Sequence, residues 1–244
     1  MTKTRHAVGP RRFAKPASPT RRSTLAGLAA CMTTLSAPRV LAQAASCVLT
    51  PDSGEGPFYF DPGLVRADVT ENTVGAPLEM AIQVVRAGSC MPLAGARLDL
   101  WQADALGLYS GYRDQSGVGV PPEPAVDRTF LRGTQFADAE GWVRFRTIYP
   151  SWYGGRTPHV HFKILLGGDE VVASQIFFAD EVNAEVFEQW DPYREHVGRR
   201  TVFNHNDRFL DLDGDQQLDG VFCDVEKYDR SGLAARATVA VEGA

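Results

Sequence analysis

Two histidines, His159 and His161, lie two residues apart in a segment that alternates between polar and apolar residues. Because successive residues of a strand point to opposite faces of a sheet, both imidazoles would point into the same space. Tyr153 and Arg156 precede the pair in a glycine-containing turn. Imidazole nitrogens beside a phenol oxygen indicate a metal site. For the histidine pair taken alone, the alternative is two exposed strand residues that bind nothing.

A second tyrosine, Tyr109, ends the run LDLWQADALGLYS. Two neutral imidazoles and two phenolates would leave a trivalent metal with little net charge. Phenolate is a hard anionic donor that favours ferric over ferrous iron, whereas zinc usually takes His, Cys and carboxylates. Taken singly, each tyrosine is better interpreted as an interfacial aromatic residue whose hydroxyl contacts water.

The elements that must position these residues are mainly short strands between Gly and Pro turns. Strand patterns occupy residues 78–86, 96–103, 142–148, 159–165, 171–178 and 237–242. Residues 180–189 have a helical pattern with Asp180 as a candidate N-cap, and a short helical turn is expected at residues 192–197. The sequence therefore predicts an all-β protein, an antiparallel β-sandwich with one or two short helices. Its long loops, such as residues 109–128, are candidate pocket walls.

The first 44 residues have the layout of an export signal. They contain eight Lys and Arg and no Asp or Glu, and an apolar run at residues 25–35 precedes the small-residue sequence AQA at 42–44. That run is shorter than the ~20 residues of a membrane-spanning helix. The Arg-Arg pair at 21–22 resembles a twin-arginine signal, although Thr24 stands where a bulky apolar residue is usual. We therefore expect residues 1–44 to be removed and residues 45–244 to form one periplasmic or secreted domain; a disordered basic tail is the alternative.

Outside that segment the chain is acidic and contains three cysteines. It keeps 17 of the 25 Lys and Arg and all 30 Asp and Glu, a balance that repels nucleic acid and anionic membranes. We therefore expect neither nucleic acid nor membrane insertion of the mature chain. In an oxidising compartment, Cys47, Cys90 and Cys223 would give one disulfide and one free thiol. Cys47 with Cys90 is the preferred pair, and the others stay open.

Four segments resemble the intradiol ring-cleavage dioxygenases, the non-haem ferric enzymes that open catechols between the two hydroxyls. They are GPFY at residues 56–59, LDLWQADALGLYS at 98–110, FLRGTQFADAEGWVRFRTIYPSWYGGRTPHVHFKI at 130–164 and SQIFF at 174–178, in the family's order. The resemblance implies that Tyr112 and Tyr149 are not ligands. It implies one ferric ion per chain held by Tyr109, Tyr153, His159 and His161.

The same resemblance implies a reaction with roles for named residues. A catechol-type aromatic would be cleaved with O2 to a muconate-type diacid that takes up both oxygen atoms. Arg156 would stabilise negative charge on the ring, and Gln175 would orient an oxygen by hydrogen bonding. Tyr153, or a hydroxide on the iron, would accept a substrate proton. The residues expected to contact the substrate are Gly56, Pro57 and Trp152.

Some features leave alternatives open. Only five residues separate Tyr153 from His159, where the catechol and protocatechuate enzymes have a longer insertion. We therefore expect a more open cavity and a preferred catechol that is larger or simply different. The alternative function is a non-catalytic binding module on the same scaffold. A metal hydrolase on the same histidines would need a carboxylate near the pair, and residues 149–164, which contain the pair, have no Asp or Glu. The oligomeric state stays open, a homodimer included.

A calcium loop is suggested by the acidic residues at 211–219. Gln216 stands where that loop requires glycine, and Phe222 stands where a bidentate Glu belongs. An acidic surface turn is therefore the favoured interpretation.

Overall fold

The computed structural model describes residues 47–113, 115, 117–118, 125–210, 222–228 and 231–242. Two four-stranded sheets form a sandwich, with strand orders β4-β1-β8-β7 and β3-β2-β5-β6. One buried apolar cluster between them contains residues of both sheets. The elements in chain order are β1 (Pro77–Arg86), β2 (Arg97–Gln102), β3 (Arg132–Phe136), β4 (Trp142–Ile148), β5 (His159–Leu166), β6 (Asp169–Phe177), α1 (Asp180–Gln189), β7 (Asp224–Tyr228) and β8 (Gly232–Val241).

The predicted all-β sandwich is confirmed, with three differences in its strands. The β1–β8 pair is parallel, and every other named pair is antiparallel. Strands β3 and β7 were not predicted, because RGTQF and DVEKY lack a sustained apolar alternation. Strand β8 begins five residues before the predicted 237–242 segment, in an alanine-containing stretch of low strand propensity.

The helix α1 has the predicted bounds but a different N-cap. Ala179 occupies the cap position without a side-chain cap, so Asp180 is the first helical residue. The Asp180 carboxylate instead accepts hydrogen bonds from Arg200 Nη2 at 2.5 Å and from the Asn204 amide at 3.0 Å. Where a helical turn was expected at 192–197, two short 3-10 turns cover Tyr193–Glu195 and Val197–Arg199.

Strand β5 places the two histidines on the outer face of its sheet. Its apolar residues Val160, Phe162 and Ile164 are fully buried in the core between the sheets. His159 and His161 alternate with them and therefore point the other way. Strand pairing aligns Trp101 of β2, His161 of β5 and Gln175 of β6 in one row across the sheet. The loops that follow β2 and β4 lie over this outer face.

The predicted Cys47–Cys90 disulfide is confirmed, and Cys223 is a buried free thiol. Among the described helices, none has the length and apolar character needed to cross a membrane. The expected export signal at 1–44 and the acidic segment at 211–219 lie outside the described residues.

Candidate metal centre and adjoining cavity

Four side chains bring their donor atoms together on the outer face of β5. Tyr109 Oη lies 3.1 Å from Tyr153 Oη and 3.3 Å from His159 Nε2. His159 Nε2 lies 3.2 Å from Tyr153 Oη and 3.0 Å from His161 Nε2. All four side chains are buried. The structure thus brings together the four residues that the sequence singled out as ligands.

The histidines are arranged to offer lone pairs rather than protons. His159 Nδ1 lies 2.7 Å from the Thr157 carbonyl oxygen, so Nδ1 carries the hydrogen and Nε2 is left as an acceptor. Burial lowers the pKa of His159 well below 6.5, and the nearby Arg156 and His161 lower it further. Burial and Arg156 lower the pKa of His161 in the same way. Both imidazoles are therefore neutral at pH 7.

The tyrosines are protonated phenols in the absence of a cation. Burial raises the pKa of Tyr109 well above 10, and the adjacent Tyr153 raises it further. Burial also raises the pKa of Tyr153, while Arg156 opposes that rise. Phe58 stacks on Tyr109 with ring centroids 4.5 Å apart and covers the pair from outside. A metal that binds here must therefore displace phenolic protons.

Two tight turns hold the tyrosines side by side. Asp104 follows β2, and its carboxylate accepts hydrogen bonds from the amides of Leu106 and Leu108, which fixes the loop leading to Tyr109. Gly107 in this loop has φ of +78°, and a Cβ there would lie 2.5 Å from the Trp152 carbonyl oxygen. Only glycine allows this approach between the two tyrosine-bearing loops.

The Tyr153 turn is closed by paired backbone hydrogen bonds with Arg156. The Tyr153 amide donates to the Arg156 carbonyl at 3.2 Å, and the Arg156 amide donates to the Tyr153 carbonyl at 2.6 Å. Two glycines, Gly154 and Gly155, form the tip, and Gly155 has φ of +85°. The turn therefore presents Tyr153 and Arg156 towards the same region as the histidines.

The two neighbouring tyrosines that the sequence set aside use their hydroxyls elsewhere. Tyr112 Oη donates to the Tyr59 carbonyl at 2.7 Å. Tyr149 Oη donates to Asn183 Oδ1 at 2.7 Å inside the core. Neither hydroxyl hydrogen-bonds to the four-donor cluster.

A cavity of about 180 Å³ adjoins the cluster on the Tyr153 side. This is below the ~300–1,000 Å³ typical of pockets for drug-sized ligands, so its size suits a single aromatic ring. Gly56 and Pro57, predicted to contact substrate, line it. Gly56 also passes close to the centre, because a Cβ there would lie 3.4 Å from His161 Cε1. The lining residues that argue most for a polar-aromatic ligand are Phe58, Tyr153, Arg156, Gln175 and Phe209.

Arg156 and Gln175 are linked in the cavity wall. Arg156 Nη2 donates to Gln175 Oε1, and Gln175 Nε2 donates to Ser53 Oγ at 3.2 Å. Arg156 is 3% exposed although it carries a charge. The chain therefore places a fixed guanidinium and an oriented amide beside the four donors.

The structure does not bear out the expectation that Trp152 contacts substrate. Its side chain is buried in the core and packs on Phe187 with ring centroids 4.8 Å apart. It is absent from the cavity wall. Trp152 and Tyr153 are consecutive in an extended segment, so only one of them faces the cavity.

Three residues that the sequence did not single out stand close to the site. Asp207 holds Arg156 through a buried ion pair at 3.1 Å, and Phe209 lines the cavity. Arg132 is buried beneath Tyr109, and its guanidinium lies 5.9 Å from the Tyr109 ring centroid. Burial lowers the pKa of Arg132 to about 10. Arg132 lies within the matching segment 130–164, whereas no local motif marks Asp207 or Phe209, which reach the site only through the fold.

The donor set fits a single metal ion. Four donors about 2 Å from one ion lie about 3.3 Å apart in a tetrahedral arrangement, close to the four separations given above. His159 Nε2, whose ring carries its hydrogen on Nδ1, lies 3.0 Å from His161 Nε2, so one cation could take a lone pair from each nitrogen. The described residues contain no cluster of three or more His, Cys, Asp or Glu suited to a metal. A metal site here therefore depends on the two phenol oxygens, which favour a hard trivalent ion.

Comparison with known proteins supports the class of protein that the sequence motifs resemble. The family model described as "Dioxygenase" matches residues 54–189. Catechol 1,2-dioxygenase of Pseudomonas sp. (strain EST1001) is 29% identical over 155 residues, which are 54% of this chain and 48% of that protein. Chlorocatechol 1,2-dioxygenase of Pseudomonas putida is 31% identical over 144 residues, 51% of this chain and 52% of that protein. The chain spans about half the length of the curated relatives it matches.

Solved structures agree over more of the chain. The intradiol ring-cleavage dioxygenase from Tetranychus urticae is 30% identical with a TM-score of 0.69, over 80% of this chain and 95% of that one. The dioxygenase domain of a carbohydrate-binding fusion from Streptomyces sp. SirexAA-E is 28% identical with a TM-score of 0.55, over 80% and 99%. The chain belongs to the intradiol ring-cleavage dioxygenase family.

Proposed function

We propose that this chain binds one ferric ion through Tyr109, Tyr153, His159 and His161 and uses O2 to cleave a catechol-type aromatic between its two hydroxyls. The product would be a muconate-type diacid that contains both oxygen atoms. The observation that carries the proposal is the buried cluster of two phenol oxygens and two imidazole nitrogens, 3.0–3.3 Å apart, beside a ring-sized cavity. The relatives named catechol and chlorocatechol dioxygenases support the substrate class.

The two tyrosines have different surroundings, which supports different roles. Tyr109 is fully buried under Phe58 and does not line the cavity, so it would be a permanent ligand. Tyr153 lines the cavity. Its raised pKa favours the protonated phenol, so it would accept a hydroxyl proton of the catechol at Oη.

Charge on the substrate would be stabilised from the cavity wall. Ferric iron, when bound, would supply a Lewis acid that draws electron density from the catechol ring. The Arg156 guanidinium lies in the cavity wall and would stabilise negative charge that develops on the ring. Gln175 is held between Arg156 and Ser53, and its amide would orient an oxygen of the reacting group by hydrogen bonding.

The test is to follow O2 consumption by the iron-loaded protein with a panel of catechols and to weigh the product made under 18O2. The expected result is one O2 consumed per catechol and two labelled atoms in a ring-opened diacid. Tyr109→Phe should abolish the reaction, and Tyr112→Phe, whose hydroxyl bonds to a backbone carbonyl outside the cluster, is the matched control. A product with one labelled atom, or none, would contradict the proposal.

A non-catalytic binding module is the second candidate. It would bind catechols without consuming O2, so the same experiment separates the two.

The hydrogen bonds that Asp207 accepts disfavour a hydrolase that uses the same histidines. This carboxylate already accepts hydrogen bonds from Arg156, Thr157 and Phe209, so it is not available as a general base.

We further propose that the chain is exported by the twin-arginine route and acts in the periplasm or outside the cell. The basic N-terminal segment supports this, and so does the Cys47–Cys90 disulfide, since such bonds persist in oxidising compartments. The test is cell fractionation with Lys-Lys in place of the Arg pair at 21–22. The precursor should accumulate in the cytoplasm, and unchanged export would contradict the route.

A further inference from the structure

Asp207 is a fully buried carboxylate whose partners all belong to the cavity or its supporting turn. Its side chain is 0% exposed, and that of its ion-pair partner Arg156 is 4% exposed. Arg156 Nε lies 3.1 Å from both carboxylate oxygens. The Thr157 amide donates to Oδ2 at 2.6 Å, and the Phe209 amide donates to Oδ1 at 2.8 Å. Both carboxylate oxygens of Asp207 are therefore occupied by hydrogen bonds.

These bonds determine how Arg156 faces the cavity. With Nε held by Asp207 and Nη2 bonded to Gln175, the plane of the guanidinium is fixed at two points. Asp207 also binds the backbone amide of Phe209. The Phe209 ring covers the Arg156 guanidinium, with its centroid 4.6 Å from Cζ. A long, rotamer-rich side chain is thereby held in one orientation in the cavity wall.

The segment that carries Asp207 is itself tied to the ligand turn. Thr157 Oγ1 donates to Asn204 Oδ1 at 2.9 Å, and Asn204 Nδ2 donates to the Phe178 carbonyl at 2.8 Å. The Thr157 carbonyl in turn accepts from His159 Nδ1. These hydrogen bonds therefore connect the segment of Asp207 to the turn that precedes His159. Asp207 lies beyond residues 54–189, which the family model matches.

We propose that Asp207 is a positioning residue for the ring-cleavage reaction, which holds the Arg156 guanidinium in the orientation that stabilises charge on the bound aromatic ring. This inference rests on the proposed function. It requires that Asp207 acts through Arg156 and not merely by neutralising a buried charge. Buried ion pairs contribute little net stability, which makes a role in orientation the stronger reason for placing one at a cavity.

The test is a double-mutant cycle with Asp207→Asn and Arg156→Ala in the iron-loaded protein. We expect Asp207→Asn to retain iron and to lower kcat about 100-fold with little change in KM, since a misoriented catalytic group costs about that factor. In the Arg156→Ala background the same change should have no further effect. Asp138→Asn, which removes a carboxylate that accepts from Arg144 and from two backbone amides away from the cavity wall, is the matched control and should leave kcat within about threefold of the wild type.

The proposal would be overturned if Asp207→Asn lowered kcat by the same factor in both backgrounds, or if its kcat matched that of Asp138→Asn. If Asp207→Asn does not fold, Asp207→Glu keeps the charge but shifts it by one methylene, and should lower kcat at least tenfold; a wild-type kcat would overturn the proposal.

An NMR readout of the Arg156 Nε–H separates this proposal from the proposed function. The Nε–H hydrogen should be protected from exchange with solvent in the wild type. Its cross-peak should be lost in Asp207→Asn. If no catechol is turned over by the wild type while that pattern holds, the proposed function fails and the positioning of Arg156 stands. An unprotected Nε–H in the wild type would overturn the positioning itself.

Discussion

The metal-free protein is expected to lose stability as the pH falls from 7.5 to 5.5, because His159 and His161 are buried as neutral imidazoles. Their pKa values in the folded state lie well below 6.5. In the unfolded chain a histidine has a pKa of about 6.5. The unfolded state therefore takes up protons first, and the stability present above pH 6.5 is lost as the pH falls through that value.

The size of the loss follows from linkage. The two depressed histidines together cost about 3 kcal/mol between pH 7.5 and 5.5. Asp104 opposes this, because burial raises its pKa to about 6 and the folded state gains a proton there on acidification. That gain is worth about 1 kcal/mol over the same interval. The net expected loss is about 2 kcal/mol, a large part of the ~5–15 kcal/mol that stabilises a typical domain.

The assay is urea unfolding of metal-free protein with its disulfide intact at pH 7.5, 6.5 and 5.5. His161→Gln should reduce the loss to less than about 1 kcal/mol, because one depressed histidine then remains against Asp104. His205→Gln, at an exposed position, is the control and should leave the loss unchanged. A free energy of unfolding that stays flat across the interval, or a His161→Gln protein with the wild-type slope, would refute the neutral burial of the pair.

Further predictions concern the two active-site turns. Tyr153→Phe should fold but lose the visible colour and turnover of the iron-loaded protein, and unchanged absorbance would reject Tyr153 as a ligand. Arg156→Ala should keep its iron and turn over about 100-fold more slowly, because a charge-stabilising donor is gone. Normal turnover in a steady-state assay would exclude that role for Arg156. Gly107→Ala should lower the free energy of unfolding by roughly 1–3 kcal/mol, since its Cβ would meet the Trp152 carbonyl at a φ of +78°. Gly63→Ala has φ of +68° but open space around it, so its smaller loss in urea unfolding is the control, and equal losses would refute the clash.

The outer-face placement of the histidines could be read from the sequence because β5 alternates strictly. Val160, Phe162 and Ile164 lie in the core and the histidines lie opposite, as period-two alternation requires. The strands β3 and β7 could not be found in this way, since their residues are largely polar. The parallel β1–β8 pairing is a long-range feature that no local pattern encodes.

Local motifs predicted that the four donor residues come together. They did not predict the residues that hold these side chains in place. Tyr109 and Tyr153 come from different loops, and their approach depends on the contact at Gly107. Asp207 follows Arg156 by 51 residues in a segment without a recognisable motif, so only the fold brings the two together. Trp152 was assigned to the cavity by position in the resemblance, yet its side chain belongs to the core.

The proposed ferric centre is tested most directly by a visible spectrum of the purified protein with metal analysis of the same sample, before and after anaerobic addition of catechol. Two tyrosinate ligands on ferric iron predict a broad red-brown charge-transfer band, iron near one per chain, and a shift to longer wavelength when catechol binds. The metal-free protein should be colourless, because the charge-transfer band requires ferric iron bound to tyrosinate. A protein that stays colourless after reconstitution with ferric iron would contradict the assignment of Tyr109 and Tyr153 as ligands and, with it, the proposed dioxygenase chemistry.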